Sequence, residues 1–207
     1  MSPPTTPVPT PAPAAARYRV TFQGTWSATT HPIDFPNAHF SPLVGGTHAA
    51  SVTFWREGEL ASNGVKDMSE LGRTTPLDLE VNAAIAAGTA EHLLLGGGIS
   101  PSPGTVALEF EISQRFPLVT LVSMIAPSPD WFVGVSRLPL FENGQWADER
   151  RIELEPWDAG TDSGVTFTSP DLVTSPRQPI SRILTAPLSP GGRVTPMGTF
   201  TFTRISP

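Results

Sequence analysis

Alternating apolar and polar positions predict β-strands in several parts of the chain. Residues 106–112 give the clearest pattern, with four apolar side chains separated by single, mostly polar residues. Residues 18–22 and 198–204 show the same period of two, which is typical of strands with one buried face. Residues 118–125 are apolar on both faces, so we expect a central strand there.

Two short helices are predicted between these strands. Residues 65–71 form the first, and Gly72 follows directly, in the position where a left-handed residue often ends a helix. The second helix begins within Thr75-Pro76-Leu77-Asp78, because Thr suits the N-cap and Pro suits the first turn. Gly88 marks its predicted end.

The remaining segments predict loops, turns and short strands. Residues 31–46 contain several prolines and are expected to form a long loop, while residues 51–55 are expected to form a short strand. Glu142-Asn143-Gly144 predicts a hairpin turn. Residues 169–192 contain five prolines and should be mostly irregular. Many short strands with long loops favour an all-β protein, an antiparallel β-sandwich.

The composition favours one β-rich domain with an N-terminal tail. The chain has 207 residues, with 24 Pro and 18 Gly, which favours turns over a helical bundle. Residues 1–16 alternate Pro, Thr and Ala, so we predict a disordered segment there and a single domain over residues 17–207.

Charge and cysteine content narrow the classes of function. A formal net charge of −6 argues against nucleic acid as a partner. The chain has no cysteine, so disulfides and thiolate metal sites are excluded. No apolar run approaches the ~20 residues that cross a bilayer. No signal peptide is recognisable in the sequence as given.

Three aspartates on two predicted loops form the candidate site. Asp130 precedes a tryptophan, and Asp158 and Asp162 lie four residues apart in a segment with two glycines. Clustered carboxylates on flexible loops favour a hard cation such as Ca²⁺, although each Asp could instead cap a turn. An EF-hand is excluded, because a loop that begins at Asp158 has Gly160 at its third position and Ser169 at its twelfth.

Two further groups of polar residues have other interpretations. Asp162-Ser163-Gly164 matches the Asp-Ser-Gly of aspartic proteases, but that chemistry needs a second, closely placed carboxylate from a similar lobe or chain. His31, His39 and His48, together with Asp34, suggest a zinc site. Hydrogen-bonded histidines that fix a long loop explain their irregular spacing better.

Longer motifs of the chain are similar to those of the spondin domain, of the F-spondin and mindin type. The similarity extends over residues 16–183. The main motifs are Ala16-Arg17-Tyr18-Arg19-Val20-Thr21-Phe22, His39-Phe40-Ser41-Pro42-Leu43-Val44-Gly45-Gly46-Thr47-His48, Ser128-Pro129-Asp130-Trp131-Phe132-Val133-Gly134-Val135, Pro156-Trp157-Asp158-Ala159-Gly160-Thr161-Asp162-Ser163-Gly164 and Ile180-Ser181-Arg182-Ile183.

This resemblance implies a C2-like β-sandwich in which Asp130, Asp158 and Asp162 bind one calcium ion. Trp131 and Trp157, beside these aspartates, are then expected to shield the ion from water rather than to stack on sugars. The resemblance also implies a secreted, non-catalytic domain that recognises an extracellular protein or glycan in adhesion. Bacterial secreted proteins carry the same module, and this cysteine-free chain is interpreted as one of them.

Departures from the animal members limit what the resemblance implies. The chain lacks their cysteines and their thrombospondin-type repeats, so an integrin-type or neuronal role is not expected. Two alternative functions are a carbohydrate-binding β-sandwich module and a hydrolase that uses Asp158 and Asp162. Neither a nucleic-acid partner nor a transmembrane segment is expected, and the chain is treated as a monomer.

Overall fold

Antiparallel strands make up most of the regular structure in the computed structural model, which describes residues 12–206. The strands are β1 (Ala15–Gly24), β2 (His39–Phe40), β3 (Val44–His48), β4 (Ala90–Leu95), β5 (Gly104–Ser113), β6 (Leu118–Ala126), β7 (Trp131–Pro139), β8 (Phe141–Glu142), β9 (Gln145–Trp146), β10 (Glu149–Leu154), β11 (Trp157–Asp158), β12 (Ser181–Arg182) and β13 (Gly198–Ser206). The helices are α1 (Asn63–Leu71) and α2 (Leu77–Ala86).

The strands form two large antiparallel sheets with a shared core. One sheet has the order β10-β13-β1-β5, and the other has the order β12-β11-β7-β6-β3-β4, with β2 paired to β6. Strands β8 and β9 form a separate hairpin. Buried side chains of β1, β5 and β13 pack with those of β6 and β7 in one cluster. The predicted all-β antiparallel sandwich is confirmed.

The alternating patterns lie on the strands where they are expected. In β1, Tyr18, Val20 and Phe22 are fully buried, and the residues between them face outward or are half-buried. In β5, Phe110 and Ile112 are buried. The two earlier apolar residues of β5 are only half-buried, because β5 is an edge strand.

The long loop predicted over residues 31–46 is wrong in its second half. Strands β2 and β3 lie there, and β3 pairs with β6 on one side and β4 on the other. Glycine is needed within β3, because a Cβ on Gly45 would come within 2.0 Å of the Thr120 carbonyl oxygen. Proline and glycine, which predicted a loop, here mark a tightly packed central strand.

The strand predicted over residues 51–55 is also wrong. The Arg137 guanidinium donates to the carbonyl oxygens of Ala50 and Val52, at 2.8 and 2.7 Å, and Ser136 donates to that of Trp55. Side chains of β7 therefore satisfy carbonyls that a neighbouring strand would otherwise bond. Trp55 is the buried residue of this segment, and its ring packs against Phe132 of β7 in the second sheet.

Both predicted helices form, but the second one begins differently. Gly72 ends α1 with a φ of 65°, as expected. Thr75 is not the N-cap of α2; Pro76 occupies that position and makes no side-chain cap. The Thr75 hydroxyl instead donates to Asp78, at 2.8 Å. Ordered packing also begins before the predicted start at residue 17, since Ala16 is buried and Trp146 donates to the Pro13 carbonyl.

Most of the predicted N-terminal tail, residues 1–11, lies outside the described residues.

Replacing Ser62 with alanine should lower the free energy of unfolding by about 1–2 kcal/mol. Its hydroxyl caps α1 by accepting from the Val65 amide and donates to Glu80, which in turn accepts from the Gly64 amide. Urea denaturation measures the loss. Ser51, an exposed serine outside the helices, provides the control substitution to alanine. Equal midpoints for the two variants would contradict the capping role.

Candidate metal centre

Strand pairing brings the two aspartate-bearing segments together. Asp130 immediately precedes β7, and Asp158 ends β11, which pairs antiparallel with the start of β7 so that Asp158 lies opposite Trp131. The loop after β11 then passes over the Asp130 side chain. The site therefore lies where β7 begins and β11 ends, at one edge of the second sheet.

Asp130 is fully buried and is only half satisfied by hydrogen bonds. Its Oδ2 accepts from the backbone amides of Thr161 and Asp162, at 2.7 and 3.0 Å, and from the Thr161 hydroxyl at 3.2 Å. Its Oδ1 is buried with no hydrogen-bond partner among residues 12–206. An unpaired carboxylate oxygen in the interior is destabilising, so a bound cation or a proton at this atom would stabilise the fold.

Asp158 and Asp162 each hold a turn of their own loop. Asp158 Oδ1 accepts from the Gly160 amide, and Asp162 Oδ1 accepts from the Gly164 amide, both at 2.7 Å. Asp162 Oδ2 also accepts from the Leu172 amide at 2.9 Å. These bonds are the turn-capping contacts that the sequence left open as an alternative. A carboxylate oxygen that accepts one hydrogen bond still has a lone pair for a cation.

A second segment, residues 172–178, closes the site from outside. The Thr174 amide donates to the Thr161 carbonyl, and the Gln178 amide donates to the Gly160 carbonyl, at 2.9 and 2.8 Å. Gly160 has a φ of 73°, and a Cβ there would come within 2.0 Å of the Gln178 carbonyl oxygen. Sequence reasoning missed this segment, because it lies within residues 169–192, whose five prolines indicated only irregular structure.

Burial and mutual repulsion set the electrostatics of the site. Burial raises the pKa of Asp130 to about 7, and the negative charge of Asp158 adds to the effect, while the amide donors of the loop oppose it. Burial also raises the pKa of Asp158. The hydrogen bond from the Gly160 amide opposes this rise, and the negative charge of Asp162 adds to it. The charge of Asp158 thus disfavours ionisation of Asp130, and the charge of Asp162 disfavours ionisation of Asp158.

The donor chemistry fits a hard cation, but the side chains do not form a ready cage. Within residues 12–206, no three or more His, Cys, Asp or Glu side chains are placed so that they could hold a metal ion. The unpaired Oδ1 of Asp130 nevertheless provides a buried oxygen of the type Ca²⁺ binds, and calcium also takes backbone carbonyls and water as ligands. Calcium ligation by Asp130, Asp158 and Asp162 therefore stays a prediction.

The two tryptophans beside the aspartates have different surroundings. Trp131 is almost fully buried, packs edge-on against Phe167, and lines an open cleft of about 270 Å³ together with Asp158. Trp157 is half-buried, and the Arg182 guanidinium lies 5.6 Å from its ring centre. Trp131 therefore shares a cleft with Asp158, whereas the Trp157 ring packs against Trp55, and the shielding of an ion stays a prediction.

The three histidines considered for zinc each bond to oxygen atoms of nearby segments. The bonds are His31 Nε2 with the Thr195 carbonyl at 3.2 Å, His39 Nδ1 with the Asn37 carbonyl at 2.9 Å, His48 Nδ1 with the Ala49 carbonyl at 2.9 Å and His48 Nε2 with the Thr120 hydroxyl at 2.8 Å. These separate contacts support a structural role: His31 and His39 hold loop carbonyls, and His48 joins β3 to β6.

The fold and the site define a class: an antiparallel β-sandwich with clustered loop carboxylates at one sheet edge. Comparison with known proteins identifies the family. The family model described as Spondin_N matches residues 16–191. Spondin-2 of Homo sapiens is 39% identical over 175 residues, and Spondin-1 of Rattus norvegicus is 36% identical over 207 residues. The chain belongs to the spondin N-terminal family.

The similarity covers most of this chain but only part of each relative. The matched residues are 82% of this chain and 53% of the human Spondin-2, and 92% of this chain and 25% of the rat Spondin-1. The chain therefore spans about half of one relative and a quarter of the other. In the described part of the chain, no helix is both long and apolar enough to cross a membrane.

Proposed function

We propose that this chain is a calcium-binding, non-catalytic recognition domain that acts outside the cell. Membership of the spondin family supports an extracellular role in adhesion, with a protein or a glycan as the partner. Asp130, Asp158 and Asp162 would hold the ion, and main-chain carbonyls or water would supply its remaining oxygen ligands.

The observation that carries this proposal is the unpaired Oδ1 of Asp130. A fully buried carboxylate with one oxygen unbonded is rare in a stable fold without an ion or an ordered water. Calcium would offset its charge and relieve the repulsion from Asp158. The ion would also join the start of β7 to the loop after β11, and so order the surface that these loops present.

The hydrogen bonds of the other two aspartates argue against hydrolysis by a carboxylate pair. The Asp158 and Asp162 carboxylates accept from amides of their own loop, and Asp162 also accepts from Leu172. An aspartic-protease dyad would instead require two carboxylates that share a proton. The amide bonds hold turns and leave lone pairs on these oxygens for a cation.

Calorimetry on the metal-free protein tests the proposal. Calcium should bind at one site per chain, and magnesium should bind more weakly, because it demands a small octahedral shell. The double variant Asp158→Asn with Asp162→Asn should lose the calcium signal. Asp34→Asn is the matched control. Asp34 is an exposed loop residue with a φ of 46°, a backbone conformation that asparagine tolerates.

Failure has a clear signature in this experiment. Absence of calcium heat in the wild-type protein at millimolar concentration would show that the aspartates only cap turns. Equal calcium affinity in the double variant and the wild type would show that the ion binds elsewhere.

A further inference from the structure

A groove opens along one side of the sandwich, and its lining does not include Asp130, Asp158 or Asp162. It lies between β10 of the first sheet and β7 of the second and has a volume of about 510 Å³. This volume is within the range of natural ligand sites, roughly 300–1,000 Å³. Val135, Leu138 and Ile152 provide apolar surface, and the indole of Trp157 contributes to one wall.

One wall of the groove is a free strand edge. Strand β10 stands at the end of its sheet and pairs only with β13 in the described part of the chain. The Arg204 amide donates to the Asp148 carbonyl, and this bond shows which residues of β10 direct their backbone groups towards β13. Because backbone groups of an antiparallel strand alternate between its two sides, the amides and carbonyls of Glu149, Arg151 and Glu153 point away from β13.

The opposite wall is formed by β7 and by residues 55–57, at the end of the segment that Ser136 and Arg137 bond. Strand β11 pairs with β7 only at Trp131 and Phe132, so residues 134–138 of β7 line the groove beyond it. A surface with unpaired backbone groups on one side and apolar side chains on the other matches the way in which extended peptides add to sheets.

Three glutamates and two arginines line the groove, and one of the arginines, Arg56, is paired with Glu59 at 3.0 Å. Glu153 has no ion-pair partner within residues 12–206, and Glu57 and Glu155 share Arg182, at 3.9 and 3.3 Å. Arg137 also lines the groove, but its guanidinium is turned onto carbonyl oxygens of the segment that follows β3. A ligand with a positive side chain is therefore favoured at the Glu153 end.

We propose that this groove binds an extended, basic peptide segment of a partner protein, which pairs with β10 as an added strand. The six residues of β10 span about 20 Å, so the bound segment has five to seven residues. Backbone hydrogen bonds to β10 provide affinity. Apolar side chains on the floor and a Lys or Arg beside Glu153 provide specificity. This inference does not rest on calcium binding.

A peptide explains the groove better than the other occupants. A glycan would use the tryptophan and the carboxylates but would leave the row of free amides and carbonyls on β10 unpaired. A second copy of the chain that pairs β10 with β10 around Arg151 would place Arg151 against its own counterpart and Glu149 against Glu153, and like charges directly opposite are destabilising. Pairing around Ile152 would instead place Arg151 opposite Glu153, so the sedimentation measurement below separates a second copy from a peptide.

Titration with synthetic peptides tests this inference. The probe is acetylated Thr-Val-Lys-Val-Lys-Val-Thr amide, followed by Trp fluorescence and by amide NMR shifts of the protein. Binding should shift the resonances of β10 and of residues 134–138, equally in EDTA and in calcium. The same peptide with Glu in place of Lys should bind at least roughly tenfold more weakly. Glu153→Lys should reverse this preference, and Glu111→Lys, an exposed residue of edge strand β5, should leave it unchanged.

Backbone methylation separates strand addition from other binding. Two versions of the peptide carry N-methyl groups at odd or at even positions, so that each blocks one edge. One version should lose binding roughly tenfold or more, while the other keeps it. The proposal is overturned if the lysine peptide does not bind at millimolar concentration or if both methylated versions bind as the parent does. Shifts of β10 caused by a sugar panel, or a concentration-dependent dimer through β10 in sedimentation, would also overturn it.

Discussion

Replacing Phe22 with alanine should lower the free energy of unfolding by about 3–5 kcal/mol. Phe22 is fully buried in β1, the strand that lies between β13 and β5. Its ring lies 4.8 Å from that of Phe40 in the second sheet and 5.0 Å from that of Phe200 in the first. The substitution therefore removes buried area and leaves a cavity between the two sheets.

Thr21→Ala is the matched control, because Thr21 neighbours Phe22 on the opposite, half-exposed face of β1. Its loss should stay below roughly 1 kcal/mol. Urea denaturation with a common m-value measures both variants. A larger loss for Thr21→Ala than for Phe22→Ala would mean that the assigned facing of β1 is wrong.

The period-two pattern predicted the strands of the first sheet well. Alternation in β1, β5 and β13 sets which side chains face the core, and the hydrophobic effect enforces that register. The pattern failed for β3, since its glycines carry no hydrophobic signal. The requirement for glycine at Gly45 arises from a carbonyl of Thr120, 75 positions away in the chain, and no local rule contains that contact.

The residues of the candidate site were predictable, but their roles were not. The sequence places Asp130 and Asp158 beside a tryptophan, and Asp162 two residues from a glycine on either side. It does not show that Asp130 is the buried member with an unpaired oxygen, because that depends on which amides of the loop after β11 reach it. Nor does it show that residues 172–178 hold this loop from outside.

The peptide groove lies still further from sequence prediction. It exists because β10 is the edge strand of one sheet and β7 of the other sheet runs beside it. Hydrophobic periodicity predicts strands but not their order in a sheet. The charged pattern of β10 predicts only a solvent-facing strand. Its free edge and its acidic end become a surface only when the two sheets are placed together.

Without calcium, the stability that protonated Asp130 contributes should fall by roughly 2–3 kcal/mol between about pH 5 and about pH 8. Burial lowers the pKa of His31 and His48, so these two residues oppose the fall at the acid end of this range. The Asp130 contribution is therefore measured as the difference between the wild type and Asp130→Asn. The pKa of Asp130 is raised from 3.8 to about 7 in the fold. Between these values the folded chain holds a proton that the unfolded chain has released, which favours the fold. That advantage is lost as the pH rises through 7, where Asp130 must carry its charge in the interior.

Calcium should reverse this trend, because it binds the ionised carboxylates and must displace the proton. At a free concentration ~100 times the dissociation constant, binding to the folded state alone adds about 2.7 kcal/mol. For a domain of this size, that raises the melting temperature by roughly 5–10 °C. The calcium-induced rise should therefore be small near pH 5, where Asp130 holds its proton, and largest near pH 8, where Asp130 is ionised.

Thermal melts in EDTA and in excess calcium chloride, at both ends of this pH range, measure the two trends together. Asp34→Asn should behave as the wild type does. Asp158→Asn with Asp162→Asn should lose the calcium-induced rise. In the double variant the EDTA slope should become shallower rather than vanish, because burial, and not the neighbouring charge, is the main cause of the raised pKa of Asp130. A calcium-induced rise that shrinks between pH 5 and pH 8 would mean that the ion does not bind through ionised Asp130.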